Sequence, residues 1–333
     1  MGSVTYSVII PTHNEGDELR ATVQNALDTA ACCSRHADGL EVIVVDDQCS
    51  DGSVDAMFDA LHDAAPVEVL SGEQRLGCTG AKRVGADQAR GEMLVFTDSH
   101  CRYGERWLHH LEDGMADLGG PEAGLFGPAM GVLQNPSQVE YGMYWANADM
   151  WRSFLPDIAP DANGVRANRP ALFVSGNGQA IAKALYDDIG GFDDGMLPPW
   201  GGEDEEICLR LWRYGYRVNI VPQWQMLHMW RESGFPYEVP YHVPLHNTLR
   251  VALLHLDEGR YRRVLDALFA KLSDITVGGQ WEGVPDTQRF AQFLDAVWHI
   301  QGASEALHSR AMHHASREER TIDEIFEMFG MEW

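Results

Sequence analysis

The first hundred residues alternate short apolar runs with helix-spaced segments, and two of those runs stop at aspartate. Tyr6–Ile10 is apolar and ends at Pro11. Glu18–Asp28 places Leu19, Val23 and Leu27 on one helical face. Glu41–Val45 is a β-branched run halted by Asp46, Asp47 and the turn-like CSDGS. Ser53–His62 reads as a helix, Val67–Leu70 as a strand and Ala81–Arg90 as a helix; Met93–Thr97 is a further β-rich run that ends at Asp98. Repeats of this kind predict an α/β fold, a doubly wound parallel sheet with helices on both faces. Ligands of such sheets sit beyond the carboxyl ends of the strands, where Asp47 and Asp98 fall.

The middle is less regular. Leu125–Val132 and Leu172–Ile181 read as strands, Pro156–Pro170 as a polar loop, and Asp204–Tyr214 as a helix with Ile207, Leu211 and Tyr214 on one side. From about Leu245 the pattern is helical to the end, a mostly helical C-terminal extension. Leu249, Leu253 and Leu256, then Val264, Leu268 and Leu272, form apolar stripes that read as core. His308, His313 and His314 of this tail read as exposed. Its remaining surface leaves room for an acceptor-shaping role or a homodimer contact.

Charge narrows the partners. Fifty acidic residues against 25 basic ones give a net charge of −25. That balance argues against nucleic acid and against an anionic membrane surface. No apolar run reaches the roughly 18 residues of a membrane span, and the start MGSVTYSVIIPTHNE has no secretory pattern. The cysteines Cys32, Cys33, Cys49, Cys78, Cys101 and Cys208 form no C-x-x-C pair. Free thiols in a cytoplasmic setting are the simplest expectation.

Four places carry chemistry. In Asp98-Ser99-His100, residues i and i+2 of an extended segment point the same way. A carboxylate and an imidazole facing one point suit manganese or magnesium if the remaining ligands are oxygens, as a diphosphate would supply. A capping aspartate beside a surface histidine is the bland alternative. Trp200-Gly201-Gly202-Glu203-Asp204-Glu205-Glu206 opens a helix, where acids are favoured by the dipole. The dipole does not account for two glycines after a tryptophan, which point to a loop closing on a ligand, with a carboxylate as general base or hydroxyl acceptor. His228, alone in QMLHMWRE, is by itself more often a satisfied core or surface residue than a ligand. Lys82 and Arg83 follow RLGCTG near a helix start, in reach of a phosphate or on a solvated face.

Taken together, SVIIPTHNE, EVIVVDD, GAKRVGADQARGEMLVFTDSHC and WGGEDEEICLRLW resemble glycosyltransferases of the GT-A fold. The broad likeness is to the family-two group, the closer one to the catalytic domain of polypeptide N-acetylgalactosaminyltransferases. It spans about residues 4–240 and implies a GT-A catalytic domain over 1–240. Its nucleotide-sugar half would be about 1–100 and its acceptor half about 101–240, followed by the helical extension at 241–333. The resemblance implies a UDP-sugar donor and Mn2+ or Mg2+ held by Asp98, His100 and His228, the D-x-H motif and a later histidine. It places Thr12, His13 and Glu15 in the uridine pocket, with Asp47 on the uracil N–H and Arg75 on the uridine. Ser99 and Lys82 would line the donor site. Arg231 would contact the diphosphate and Gly178 would let backbone reach the sugar. Trp200 and Glu203 would belong to a loop closing over the donor.

One departure matters. The close relatives read WGGEN, and Asp204 stands here in place of that asparagine. An aspartate at this position is the catalytic base of inverting relatives, which favours Asp204 as base, Glu203 holding hydroxyls, and inversion, while the Asp98-Ser99-His100 and His228 pattern resembles the retaining group and leaves retention open. The acceptor is left open among a peptide, a natural product and a glycan. A sugar-nucleotide hydrolase or nucleotidyltransferase, or a non-catalytic sugar-nucleotide-binding module, are the other readings. The first would want a glycine-rich phosphate loop, which the chain lacks. The second would want a missing ligand or loop acid, and neither is missing.

Overall fold

A computed structural model describes residues 5–31, 39–62, 66–231, 234–272 and 283–333; Cys32 and Cys33 lie outside them. The chain runs β1 (Tyr6–Thr12), α1 (Asp17–Ala31), β2 (Leu40–Asp46), α2 (Ser53–Leu61), β3 (Val67–Ser71), α3 (Gly77–Gln88), β4 (Met93–Thr97), β5 (Cys101–Tyr103) and α4 (Trp107–Asp117). It continues with β6 (Gly124–Val132), β7 (Asn135–Glu140), β8 (Met143–Trp145), β9 (Arg152–Phe154), β10 (Arg169–Pro170), β11 (Gly178–Ala182), α5 (Lys183–Asp188), α6 (Glu203–Arg213) and β12 (Arg217–His228). The last five helices are α7 (His242–His255), α8 (Glu258–Ala270), α9 (Asp286–Gly302), α10 (Ser304–Ser316) and α11 (Ile322–Met328).

One sheet has the order β10-β12-β6-β11-β4-β1-β2-β3, with β5 paired to β12 and β7 to β6. The half built from the first four strands is parallel, as the strand–helix alternation requires. The other half departs from the expected parallel sheet. β11 runs antiparallel to both β4 and β6, while β12 runs parallel to β6. It follows that β12 and β4 point the same way and end at the same edge. β2 and β4 flank β1 on opposite sides, so the crevice between β1 and β4 is a point where strand order reverses.

Elements with a strong pattern are where the sequence places them. β1 continues through Pro11 because its pairing with β4 ends at Ile9, leaving the proline no ladder bond to break on that side. The expected strand Leu172–Ile181 is shorter: only Gly178–Ala182 is strand, and the residues before it form a bridge and a turn. α3 starts at Gly77 rather than Ala81. The expected one-sided helix Asp204–Tyr214 is α6, and all eleven of its residues are buried, acids included.

Candidate active site

The strands deliver three side chains to one point. β4 ends at Thr97, so Asp98, Ser99 and His100 lie just past the sheet edge. The chain then turns into β5, which pairs antiparallel with the end of β12 and sets Cys101 opposite His228. The Met229 N–H donates to the His100 carbonyl at 3.1 Å. A three-residue strand thus brings together residues 130 positions apart. Nε2 of His228 lies 3.3 Å from Oδ2 of Asp98 and 3.0 Å from Nε2 of His100. One ligating atom from each of the three falls within 4.8 Å of the others.

Glu15 decides which lone pairs face that point. Its carboxylate accepts from Nδ1 of His100 at 3.1 Å and from the Arg231 guanidinium. With the His100 proton assigned to Nδ1, Nε2 is left bare and aimed at the cluster. Burial alone would raise the Glu15 carboxyl, but His100 and Arg231 outweigh it and hold it below the usual range. Nδ1 of His228 is buried and has no hydrogen-bond partner among the described residues. An oxygen and two imidazole nitrogens converging this way fit a divalent ion. Glu15 thus lines the cavity on which this cluster lies, its carboxylate set behind His100. Arg231, expected on a diphosphate, is held by Glu15.

Thr12, His13, Asp47, Arg75 and Ser99 line the adjoining end of the same cavity. Nδ1 of His13 is 2.7 Å from the Asp47 carbonyl, and its ring meets Tyr237 edge-on. Arg75 lies 4.7 Å over that Tyr237 ring. Oxygens of Asp47 accept from the Leu76 and Gly77 N–H groups, the latter at 3.0 Å. Asp47 is thus first a cap for the start of α3, a role the sequence reading did not give it beside the expected base contact.

On the opposite wall, α6 opens after Gly201 and Gly202, whose φ values of 105° and 87° require glycine. Asn247 of α7 clamps this loop. Its amide donates to the carbonyls of Leu197, Trp200 and Gly201 at 3.0, 3.3 and 2.8 Å, and accepts from the Leu197 N–H at 2.8 Å. No motif marks Asn247. Trp200 packs against Phe235 at 5.3 Å between ring centres.

The acids of α6 are matched by buried cations. Lys82 is fully buried and donates to Oε1 of Glu203 at 3.1 Å and to the Gly176 carbonyl at 2.9 Å. The solvated-face reading of Lys82 fails: its ammonium lies on the cavity lining, bonded to Glu203 and to the Gly176 carbonyl. The early start of α3 accounts for this, because it sets Lys82 past the first turn. Arg83 donates instead to the carbonyls of Gly190 and Phe192, outside the cavity lining. Burial alone would discharge Lys82, but Cys78 and the carboxylates of Glu203, Asp98 and Asp204 outweigh it and hold the ammonium charged. Asp204 accepts from Arg152 at 3.0 Å and from the Gly176 N–H at 3.2 Å. Burial, reinforced by Glu203 and Glu205 against Arg152 and Lys82, pushes the Asp204 carboxyl up to about 6. Arg152, which no motif marked, also binds Glu205 at 3.0 Å and lies 5.5 Å over the Trp200 ring.

Gly178 is the site residue the structure moves away. It lies in β11, outside the cavity lining, where a Cβ would come 2.7 Å from Pro128. Close packing, not a sugar, accounts for it. Two residues before it, Gly176 does line the cavity, and a Cβ there would sit 2.8 Å from Nζ of Lys82. Asp98, His100, His228, Glu203, Asp204, Trp200 and Lys82 all face one cavity of about 490 Å³, a size that suits a small-molecule ligand.

A second carboxylate–histidine group lies outside the cavity. Glu206, His255 and His314 are buried together, so His314 is not the exposed residue expected. Arg210 donates to Oε2 of Glu206 at 2.6 Å, and an Arg213 N–H lies 3.3 Å from Nδ1 of His255. With Nδ1 accepting, the His255 proton sits on Nε2 and is donated to Glu206 at 3.1 Å.

Comparisons with known proteins agree with this architecture. Residues 7–119 match the family model described as Glycosyl transferase family 2, and residues 166–232 that of the N-terminal domain of galactosyltransferase. Polypeptide N-acetylgalactosaminyltransferase 11 of Xenopus tropicalis is 28% identical over 262 residues, covering 76% of this chain and 43% of that protein. Polypeptide N-acetylgalactosaminyltransferase 10 of Homo sapiens is 29% identical over 304 residues, 87% of this chain and 49% of that one. The chain spans about half the length of the curated relatives it matches. The crystal structure of GalNAc-T7 with UDP, GalNAc and Mn2+ superposes with a TM-score of 0.65 at 22% identity, over 93% of this chain and 58% of that one. The chain shares the fold of the GT-A glycosyltransferases. Among the described residues no helix is long and apolar enough to cross a membrane.

Proposed function

We propose that this chain is a metal-dependent glycosyltransferase that moves a hexose or N-acetylhexosamine from a UDP-sugar to an acceptor hydroxyl. The observation that carries the reading is the meeting of Asp98, His100 and His228 on a cavity that Glu203 and Asp204 also line. The relatives that act on polypeptides and the neighbour solved with UDP and Mn2+ support the same chemistry.

Asp98, His100 and His228 would hold manganese or magnesium, which when bound supplies charge compensation to a diphosphate leaving group. Glu15 fixes the tautomer of His100 and keeps Arg231 close by. Thr12, His13, Asp47 and Arg75 form the nucleoside end. Trp200, on the loop clamped by Asn247, shields the donor from water. Lys82 holds Glu203 in place to accept hydrogen bonds from hydroxyls. Asp204 takes the acceptor proton, and a carboxyl pushed up to about 6 by burial is well matched to that task near neutral pH. A base on the acceptor side of the sugar corresponds to inversion.

The reading is tested by following UDP release from a panel of UDP-sugars with and without manganese and acceptor alcohols. Full activity in excess EDTA would overturn the metal assignment. Anomeric proton coupling in the product, read by NMR, decides between inversion and retention.

A further inference from the structure

The cavity has a second end, away from the metal-ligating residues. There its wall passes to the segment around β8 and β9 and to the helices α7 and α8. Met143, Met150, Leu245 and Leu268 give it a buried apolar surface, and Trp151 and Phe154 stand at its rim, 55% and 46% exposed. Two large apolar side chains left half in water on the lip of one cavity form a surface that binding would cover. The charges at this end are already matched. Arg152 serves Asp204 and Glu205, and Lys271 is bonded to Asp149. Among the described residues lining this end, no unpaired charge is left for a phosphate or carboxylate. The uncharged polar side chains there are the Thr248 hydroxyl and, flanking Gly176 next to Asp204, Ser175 and Asn177, less polarity than the many hydroxyls of a glycan need once they leave water.

We infer that this end takes an uncharged alcohol or phenol carried on an aromatic or alkyl body, its apolar part lying against Trp151 and Phe154 and its hydroxyl directed at Asp204. The inference rests on the glycosyltransferase reading. In the transfer, the acceptor oxygen bonds to the anomeric carbon as that carbon's bond to the UDP oxygen breaks. The bonding pair leaves with UDP, and the acceptor proton passes to Asp204.

The test compares naphthalenemethanol, benzyl alcohol, methyl glucoside, glycerol phosphate and a threonine peptide without aromatic residues. Binding to the complex with UDP and manganese is read by calorimetry, and turnover by UDP release from the panel of donors. Naphthalenemethanol is expected to bind best and to raise UDP release above the water background, with benzyl alcohol second. Trp151→Ala and Phe154→Ala, both at exposed positions where truncation leaves the core intact, are each expected to weaken naphthalenemethanol binding about tenfold. Their affinity for UDP with manganese is the control that reports on the donor end. Preference for methyl glucoside, glycerol phosphate or the peptide, or unchanged naphthalenemethanol binding in both variants, overturns the inference alone. Failure of the wild-type chain to bind UDP with manganese overturns the glycosyltransferase reading, and this inference with it.

Discussion

Two groups in this molecule use the same side chains to opposite ends. Asp98, His100 and His228 sit on the cavity, while Glu206, His255 and His314 are sealed between α6, α7 and α10. Both are one carboxylate and two imidazoles within a few ångströms. What separates them is where arginine and the ring protons stand. On the cavity, Arg231 binds Glu15, one step behind the cluster, and Glu15 draws the His100 proton away from the shared point. In the sealed group, Arg210 binds Glu206 directly and Arg213 faces Nδ1 of His255, which turns the His255 proton inward onto Glu206. Residue types alone do not make a ligand set; the hydrogen bonds behind them do.

The largest effect should come from breaking the first group. Asp98→Ala and His228→Ala are expected to abolish manganese-dependent UDP release, and manganese titration of the variants should show no tight site. Glu206→Gln is the matching change in the sealed group. It is expected to lower stability by roughly 3–5 kcal/mol, because it unpairs buried Arg210, while manganese affinity measured on the folded protein stays as in the wild type. Loss of manganese affinity in Glu206→Gln would erase the distinction.

Asp204 sharpens the contrast from within one helix, since α6 carries it toward the cavity and Glu206 away from it. Asp204→Asn should cut the rate by about 10²–10⁴ if its carboxylate takes the acceptor proton. A rate near that of the wild type would point to retention. Next in size is Glu15→Gln. Weakening the hold on His100 should cost about 10–100-fold in manganese affinity, read by metal titration, and unchanged affinity would show that Glu15 does not set the tautomer.

The parallel half of the sheet was legible because strand–helix alternation implies parallel pairing whether the partner is the next strand, as for β1 with β2 and β2 with β3, or an earlier one, as for β4 with β1, and an apolar run marks each strand. Asp98 and His100 were legible for the same reason: they follow the strand whose end places them. His228 was not legible from its own surroundings, where only the resemblance marked it. What places it is β5, three residues long and without a periodic pattern, which sets Cys101 opposite His228 from a distant part of the chain. Arg152 and Asn247 escaped notice because neither sits in a motif. Each acts by a long-range contact, Arg152 on the α6 acids and Asn247 on the loop before them. Gly178 shows the reverse error: a suggestive motif assigned to a ligand, when close packing against Pro128 accounts for it. Tertiary partners, not local chemistry, decided every residue that was misread.

The smallest effect separates the two groups by pH. Burial lowers the pKa of His314, the nearby His255, Arg210 and Arg213 lower it further, and Glu206 opposes them only in part, so the ring is neutral in the folded chain at neutral pH. The unfolded chain should take up a proton near the ordinary value of about 6.5. Above that pH both states are neutral and His314 contributes no pH dependence. As pH falls below it, the unfolded state gains a proton that the folded state refuses, and stability is lost with a slope of up to about 1.4 kcal/mol per pH unit. His314→Asn removes the titration and offers an amide oxygen to the Tyr214 hydroxyl, which lies 2.7 Å from Nδ1 of His314. Its denaturant-unfolding free energy should therefore fall less steeply than that of the wild type between about pH 6.5 and 4.5, even if it starts lower. His255 keeps its own share of the slope in both proteins. Parallel curves for the two would mean that the sealed group accommodates a proton on His314, and the contrast with the cavity group would then rest on the arginines alone.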